Sequence, residues 1–233
     1  LWMGAAAGEP ACVVTVLRNN LRYGNYEILE NDYGISLRSL VAFADRTYTP
    51  GEAISPLIKA VNVLLFKLEG QIIARHPEFD MEGRLLLDKM DLEAGTIELE
   101  DGTWPLVTRD FPTVDAAHPY ELTCEEREIV DKLVAEFRAS DHLRRHVNLL
   151  YSNGSMYLAS NLLFHGCVPM NEDGTFSAMN CMGTWKSGRD YLDFCDSIAR
   201  RAWRDGDQEA LDWMWYLWIG FKSPASGRLV KTF

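Results

Sequence analysis

Asn161-Leu162-Leu163-Phe164-His165-Gly166-Cys167-Val168-Pro169 is the stretch around which the chain is organised. An apolar, strand-like run delivers a lone histidine and then a glycine into a loop containing Asn171, Glu172, Asp173 and Gly174. Buried strands often end by projecting functional side chains into such loops. On these nine residues alone the stronger reading of His165 is a hydrogen-bonded structural residue, and the surrounding sequence has to decide. Upstream, Gly154 breaks a helical pattern, and Met156 to Phe164 predicts one long strand or a hairpin running into His165.

Working outward toward the N-terminus, Ser140 can cap a helix carrying Leu143, Val147 and Leu150. His142 and His146 lie one turn apart on it, a spacing that can bind a metal. No glutamate follows the first histidine, and Leu143-Arg144-Arg145 between them supplies only cations, so a metal site there is disfavoured. Thr123 with Glu126 forms a capping box ahead of Ile129, Val130, Leu133, Val134 and Phe137. Arg109 to Tyr120 reads as a loop, with prolines at 112 and 119. Thr96 to Val107 alternates and turns on Asp101-Gly102, a hairpin signal.

Before that, Ser55-Pro56 is an N-cap followed by a first-turn proline, and Leu57, Val61, Leu64, Leu65, Leu68 and Ile72 mark a long, mostly buried helix ending before Pro77. Gly70 weakens its interior. Ser36 can cap a helix with Leu37, Leu40, Val41 and Ala44 inward, and Tyr26 to Tyr33 predicts a helix ending at Gly34. Pro10 starts another, with Val13, Val14, Leu17 and Leu21 on one face and Gly24 as its stop. Leu1 to Gly8 reads as a small, flexible lead. Arg18, Arg22, Arg38 and Arg46 punctuate this region, and solvated faces or salt bridges account for most of them.

C-terminal to the histidine, Tyr191, Leu192, Cys195, Ile198, Ala199 and Ala202 form an amphipathic helix. The run Leu211-Asp212-Trp213-Met214-Trp215-Tyr216-Leu217-Trp218 reads as a large aromatic core or an interface anchor. Gly220 to Arg228 combines Lys222, Ser223, Ser226 and Arg228 on flexible backbone, a loop able to hold phosphate oxygens or to serve as a plain surface turn.

Composition sets outer limits. At 233 residues and 47% hydrophobic content the chain can bury a substantial core. A formal net charge of -11 provides no general attraction for a phosphate backbone, which argues against nucleic-acid binding. An anionic small substrate then needs a local cationic device, either a metal or a few arginines and lysines. The five cysteines, Cys12, Cys124, Cys167, Cys181 and Cys195, are scattered and free of Cys-x-x-Cys spacing, as expected of reduced thiols in a cytoplasm. No stretch reads as a membrane span, and no membrane partner is expected.

Several stretches resemble the class III fructose-1,6-bisphosphatases of bacteria: Leu17 to Glu30 (LRNNLRYGNYEILE), Phe66 to Gln71 (FKLEGQ), Arg84 to Lys89 (RLLLDK), Phe111 to Asp115 (FPTVD), Leu163 to Gly174 (LFHGCVPMNEDG) and Met214 to Trp218 (MWYLW). The likeness runs nearly end to end. That family is similar to the calcineurin-like metallophosphoesterases, so the resemblance implies an α+β fold: a helix-rich internal fragment of a β-sandwich with helical insertions. On that pattern residues 1–76 are a helical part of the catalytic region, 77–155 an inserted hairpin-helix unit, and 156–233 the strand and His-Gly segment that rejoins the sandwich.

The resemblance implies metal-dependent hydrolysis of the 1-phosphate of fructose 1,6-bisphosphate, giving fructose 6-phosphate and phosphate, a gluconeogenic step in the cytoplasm. The implied cofactor is Mn²⁺ in a two-metal site. Of the family's metal motifs only His-Gly is present, at His165 and Gly166, so His165 is the implied metal ligand. Leu1-Trp2-Met3-Gly4 resembles the stretch just after the Gly-Asn-His motif, and no catalytic residue falls within the chain. Isolated, it is expected to be inactive and prone to aggregate. Lys222, Ser223, Ser226 and Arg228 are the candidates for the phosphate that is not cleaved, with Arg18 and Arg22 weaker ones. A homo-oligomer is compatible with this reading. The alternatives are a phosphoesterase of the same fold acting on another phosphorylated substrate, or a non-catalytic helical module for oligomerisation or regulation.

Overall fold

A computed structural model describes residues 1–51, 54–153, 157, 158, 161, 162 and 168–226. They form an α+β structure of helices joined by small antiparallel sheets. The chain divides into two compact units, Val13–Phe137 and Leu1–Cys12 with Arg138–Phe233.

Within Val13–Phe137 lie most of α2 (Pro10–Arg22), then α3 (Tyr26–Asn31), α4 (Arg38–Thr47), α5 (Pro56–Arg75), β1 (Met90–Asp91), β2 (Thr96–Leu99), β3 (Gly102–Pro105) and most of α6 (Cys124–Ala139). The Ser55 hydroxyl accepts from the Ile58 amide, and Pro56 fills the first turn, which gives α5 its expected start. Apolar side chains on several of its faces are buried, as in a core helix. Its buried polar groups are each matched. Lys59 Nζ reaches the Asp110 carboxylate at 2.8 Å, Lys67 Nζ donates to Glu126 Oε2 at 2.7 Å and to the Thr113 carbonyl at 2.6 Å, and Gln71 Nε2 donates to the Tyr120 carbonyl at 2.7 Å. Residues 59, 67 and 71 share one face of a 3.6-residue helix. That face therefore fastens the irregular 109–121 segment, which has no sheet or helix of its own to satisfy its backbone.

Gly70 has a packing role. A Cβ built on it would stand 2.0 Å from Cδ1 of Tyr120, so only hydrogen allows that ring to lie against α5. Glu69, on another face, is held by Arg84 Nη2 at 2.9 and 3.0 Å. The capping box of α6 is formed: the Thr123 amide donates to Glu126 Oε2 at 2.8 Å, and the Glu126 amide to Thr123 Oγ1 at 3.2 Å. In α4 the buried side chains are Leu40, Phe43 and Ala44, whereas Val41, expected inward, is exposed. One position of phase makes the difference, because Phe43 offers more area to bury. The hairpin turns one residue earlier than Asp101-Gly102, since Leu99 pairs with Gly102, and β1 adds a third strand to it.

The other unit contains α1 (Trp2–Ala7), α7 (Asp141–Asn153), the hairpin of β4 (Tyr157–Leu158) and β5 (Asn161–Leu162), the hairpin of β6 (Met179–Cys181) and β7 (Thr184–Lys186), α8 (Gly188–Asp205) and α9 (Gln208–Ile219). The first eight residues are not a flexible lead: α1 is a helix with Gly4 to Ala7 buried. Small side chains permit this. A Cβ at Gly4 would lie 2.7 Å from Cys12 Sγ and 3.2 Å from Met214 Cβ, so α1 approaches α9 closely. Gly8 then ends the helix at φ 96°, in the left-handed region.

The tryptophan run of α9 is core. Trp213 and Trp215 are 0% exposed. Trp213 meets Phe194 and Tyr216 edge to face at 4.8 and 5.3 Å. Asp207 caps α9 through the Ala210 amide at 3.2 Å. Ser140 does not cap α7 as expected: its hydroxyl is buried and has no partner among the described residues. Leu150, expected inward, is 59% exposed. The described cysteines, Cys12, Cys124, Cys181 and Cys195, are free thiols. Among the described residues no helix is long and apolar enough to cross a membrane.

Candidate functional site

His165 and Gly166 lie outside the described residues, as does Arg228. What leads into and out of the His-Gly segment is described. Upstream, Tyr157 pairs with Leu162 and Leu158 with Asn161, so the backbone turns back on itself before the histidine. Downstream, Met170 bridges Phe176 antiparallel, and the loop between them is tightly bonded. The Asn171 amide donates to the Thr175 carbonyl at 2.8 Å, and the Gly174 amide to the Asn171 carbonyl at 3.0 Å. Asp173 Oδ1 accepts from the amide and hydroxyl of Thr175, which holds its carboxyl below the usual range. Hydrogen-bond satisfaction accounts for Asn171, Asp173 and Gly174 in this loop.

The second candidate segment is tied to the chain just beyond the Met170–Phe176 bridge. Lys222 Nζ donates to the Ala178 carbonyl at 2.9 Å, two residues beyond the Met170–Phe176 bridge. Ser223 is enclosed at 0% exposure. Its hydroxyl donates to the Leu217 carbonyl and accepts from the amides of Ala225 and Ser226, at 3.1 and 3.3 Å. Ser223 thus shapes the turn and has no open face for a ligand. Lys222 keeps two of its three ammonium donors beyond the Ala178 bond, and Ser226 is half-buried at the rim of the turn.

Arg18 and Arg22 lie on α2. Burial lowers the Arg18 pKa from its ordinary value, with the Glu69 charge opposing that shift and the Arg84 charge adding to it. His142 and His146 face each other with ring centroids 4.7 Å apart on α7. Among the described residues no group of three or more histidine, cysteine, aspartate or glutamate side chains is placed to hold a metal ion.

Two buried features escaped the sequence reading. One is Glu9, 1% exposed, whose carboxylate accepts from the Ala11 amide at the start of α2. Burial pushes its pKa up to about 7, against the lowering by the Cys12 and Ala11 amides, and the nearby Asp212 charge raises it further. The other is the buried Lys67–Glu126 pair, whose partners stand 59 residues apart. The signal for the first was Glu9-Pro10, an acid directly before a helix-starting proline. The second left none, because nothing local distinguishes a buried lysine from a solvated one.

The described residues form a helix-rich α+β segment with short hairpins before and after position 165 in the sequence. The family model described as Firmicute fructose-1,6-bisphosphatase matches residues 1–233, and the chain belongs to that family. It is 46% identical over 258 residues to the fructose-1,6-bisphosphatase class 3 of Clostridium novyi (strain NT), covering 100% of this chain and 39% of the relative. It is 43% identical over 254 residues to that of Clostridioides difficile (strain 630), covering 98% of this chain and 38% of the relative. The chain thus spans about 39% of the length of the curated relatives it matches. No solved structure matches it.

Proposed function

We propose that this chain serves a cytoplasmic, Mn²⁺-dependent fructose-1,6-bisphosphatase of the calcineurin-like type. The reaction is hydrolysis of the 1-phosphate of fructose 1,6-bisphosphate to fructose 6-phosphate and phosphate, a step of gluconeogenesis. The observation that carries this reading is the match of the whole chain, 1–233, to the bisphosphatase family, with relatives of that name at 46 and 43% identity.

His165 is the proposed metal ligand, since a neutral imidazole is an ordinary ligand for Mn²⁺. The phosphate that is not cleaved is assigned to the 222–228 loop. Lys222 offers its remaining donors, Ser226 its hydroxyl and Arg228 its guanidinium, while Ser223 holds the turn that carries Lys222 and Ser226. Support for this assignment is the Lys222–Ala178 bond, which ties the described part of the loop to the chain downstream of the Met170–Phe176 bridge.

The test is phosphate release from fructose 1,6-bisphosphate, with and without Mn²⁺, by the intact protein and by His165→Ala. Activity that needs Mn²⁺ and is largely lost in the variant is expected. An active protein indifferent to the substitution would make His165 structural. An intact protein that ignores this substrate yet hydrolyses another phosphate ester would remove the sugar assignment and leave the phosphoesterase class.

A further inference from the structure

A cleft of about 420 Å³ opens among α1, the last turn of α6, α7 and the end of α8, a volume suited to a small molecule. Its charged lining is Arg138, Arg144 and Arg204 against a single acid, Asp205, in a chain whose net charge is -11. Arg204 is committed: its Nε and Nη2 donate to Asp205 at 2.7 and 2.6 Å. Arg138 and Arg144 differ. Among the described residues neither guanidinium has a hydrogen-bond or ion-pair partner. Each keeps five donors in a planar fork whose geometry matches phosphate oxygens.

Local sequence and packing aim these groups at one space. Residues 144, 148 and 151 recur at four and three positions along α7 and so share a face. Asn148 Oδ1 accepts from Trp203 Nε1 at 3.2 Å, which turns the amide so that its NH₂ remains as a donor. Arg138 reaches over Gly206, where a Cβ would sit 3.9 Å from its Nη2. Tyr151 is braced from behind by Arg200, whose guanidinium carbon lies 4.9 Å from the ring centre while Nη1 donates to the Tyr151 carbonyl at 2.9 Å. Ala6, Ala7 and Gly206 add small residues to the lining.

Helix C-termini attract arginines without any ligand, and the cleft lies beside those of α1 and α8. Carbonyls there are already engaged, however: Gly4 and Ala5 accept from the Gly8 amide, and Ala202 from the Gly206 amide. The dipoles explain why cations gather here and leave the two open forks unexplained.

We propose that this cleft binds a small organic phosphate, with Arg138 and Arg144 gripping the phosphate oxygens, the Asn148 amide adding a donor, and Trp203 and Tyr151 walling a planar organic part. The probe is phenylphosphonate, whose P–C bond is not an ester, titrated calorimetrically into the intact protein at low ionic strength, with inorganic phosphate as the comparison. One equivalent is expected to bind in the cleft. Its affinity should fall at least tenfold in Arg138→Gln/Arg144→Gln, and thermal unfolding should be unchanged because neither guanidinium supports the fold. Asn148→Asp, on an exposed side chain, should weaken it as well. Binding should decline with added salt. Unchanged affinity in both variants, or no binding at all, would overturn the site, and equal affinity for inorganic phosphate would overturn the aromatic wall.

Discussion

The ammonium of Lys67 donates to the carboxylate of Glu126 at 2.7 Å, and both side chains are 0% exposed. Lys67 also holds the Thr113 carbonyl, and the same Glu126 oxygen accepts from the Thr123 amide. A fully desolvated pair is costly to break, because the charge left behind has no water. Lys67→Ala is therefore expected to destabilise by about 3–5 kcal/mol. Lys67→Met with Glu126→Leu should cost less than the two single changes together. Denaturant unfolding of the four proteins of this cycle measures the coupling, and strict additivity would contradict it.

Gly70 and Tyr120 yield a second expectation. Gly70→Ala normally favours a helix, but here the new methyl enters the Tyr120 ring. Destabilisation of about 1–3 kcal/mol is expected from overpacking. Gly70→Ala combined with Tyr120→Ala should recover the helix-propensity gain, since the clash is then gone. Thermal melts distinguish these outcomes.

Glu9 should make stability depend on pH. Its folded pKa, about 7, lies above the ordinary 4.5, so the folded state binds the proton more tightly than the unfolded chain does. Its contribution is fully present below pH 4.5 and is lost as pH rises through about 7. Glu9→Gln, which keeps the size and an acceptor for the α2 amides, should flatten the stability profile across that window. An unaltered slope would show that another group titrates there.

The two serines of the 222–226 turn should separate. Ser223→Ala removes an acceptor for two amides and a donor to the Leu217 carbonyl, and a loss of about 1–3 kcal/mol is expected from the buried groups it strands. Ser226→Ala should leave the melting temperature nearly unchanged. If the loop holds phosphate, Ser226→Ala and Lys222→Ala raise KM for fructose 1,6-bisphosphate more than they lower kcat. A Ser226→Ala protein with unaltered KM would take that residue out of the site.

Sequence by itself determined the start of α5, from Ser55-Pro56, the capping box of Thr123 and Glu126, and the helical face of Tyr191 to Ala202. Each is written within one or two helical turns, where periodicity and caps act. The family was legible for a similar reason: irregular stretches such as LFHGCVPMNEDG carry information along the chain without needing the fold. Only the tertiary structure decided that α1 is buried, that Lys59, Lys67 and Gln71 fasten the 109–121 segment, and that Ser223 faces inward while Arg138 and Arg144 stay open. Most of them depend on partners far away in sequence, such as Glu126 for Lys67, 59 residues on, and Met214 for the approach of Gly4. The free energy of a charged or hydroxyl group is set by the neighbours that desolvate and pair it. Such neighbours have no local signature, so only folding assigns a lysine to the core or an arginine to a cleft.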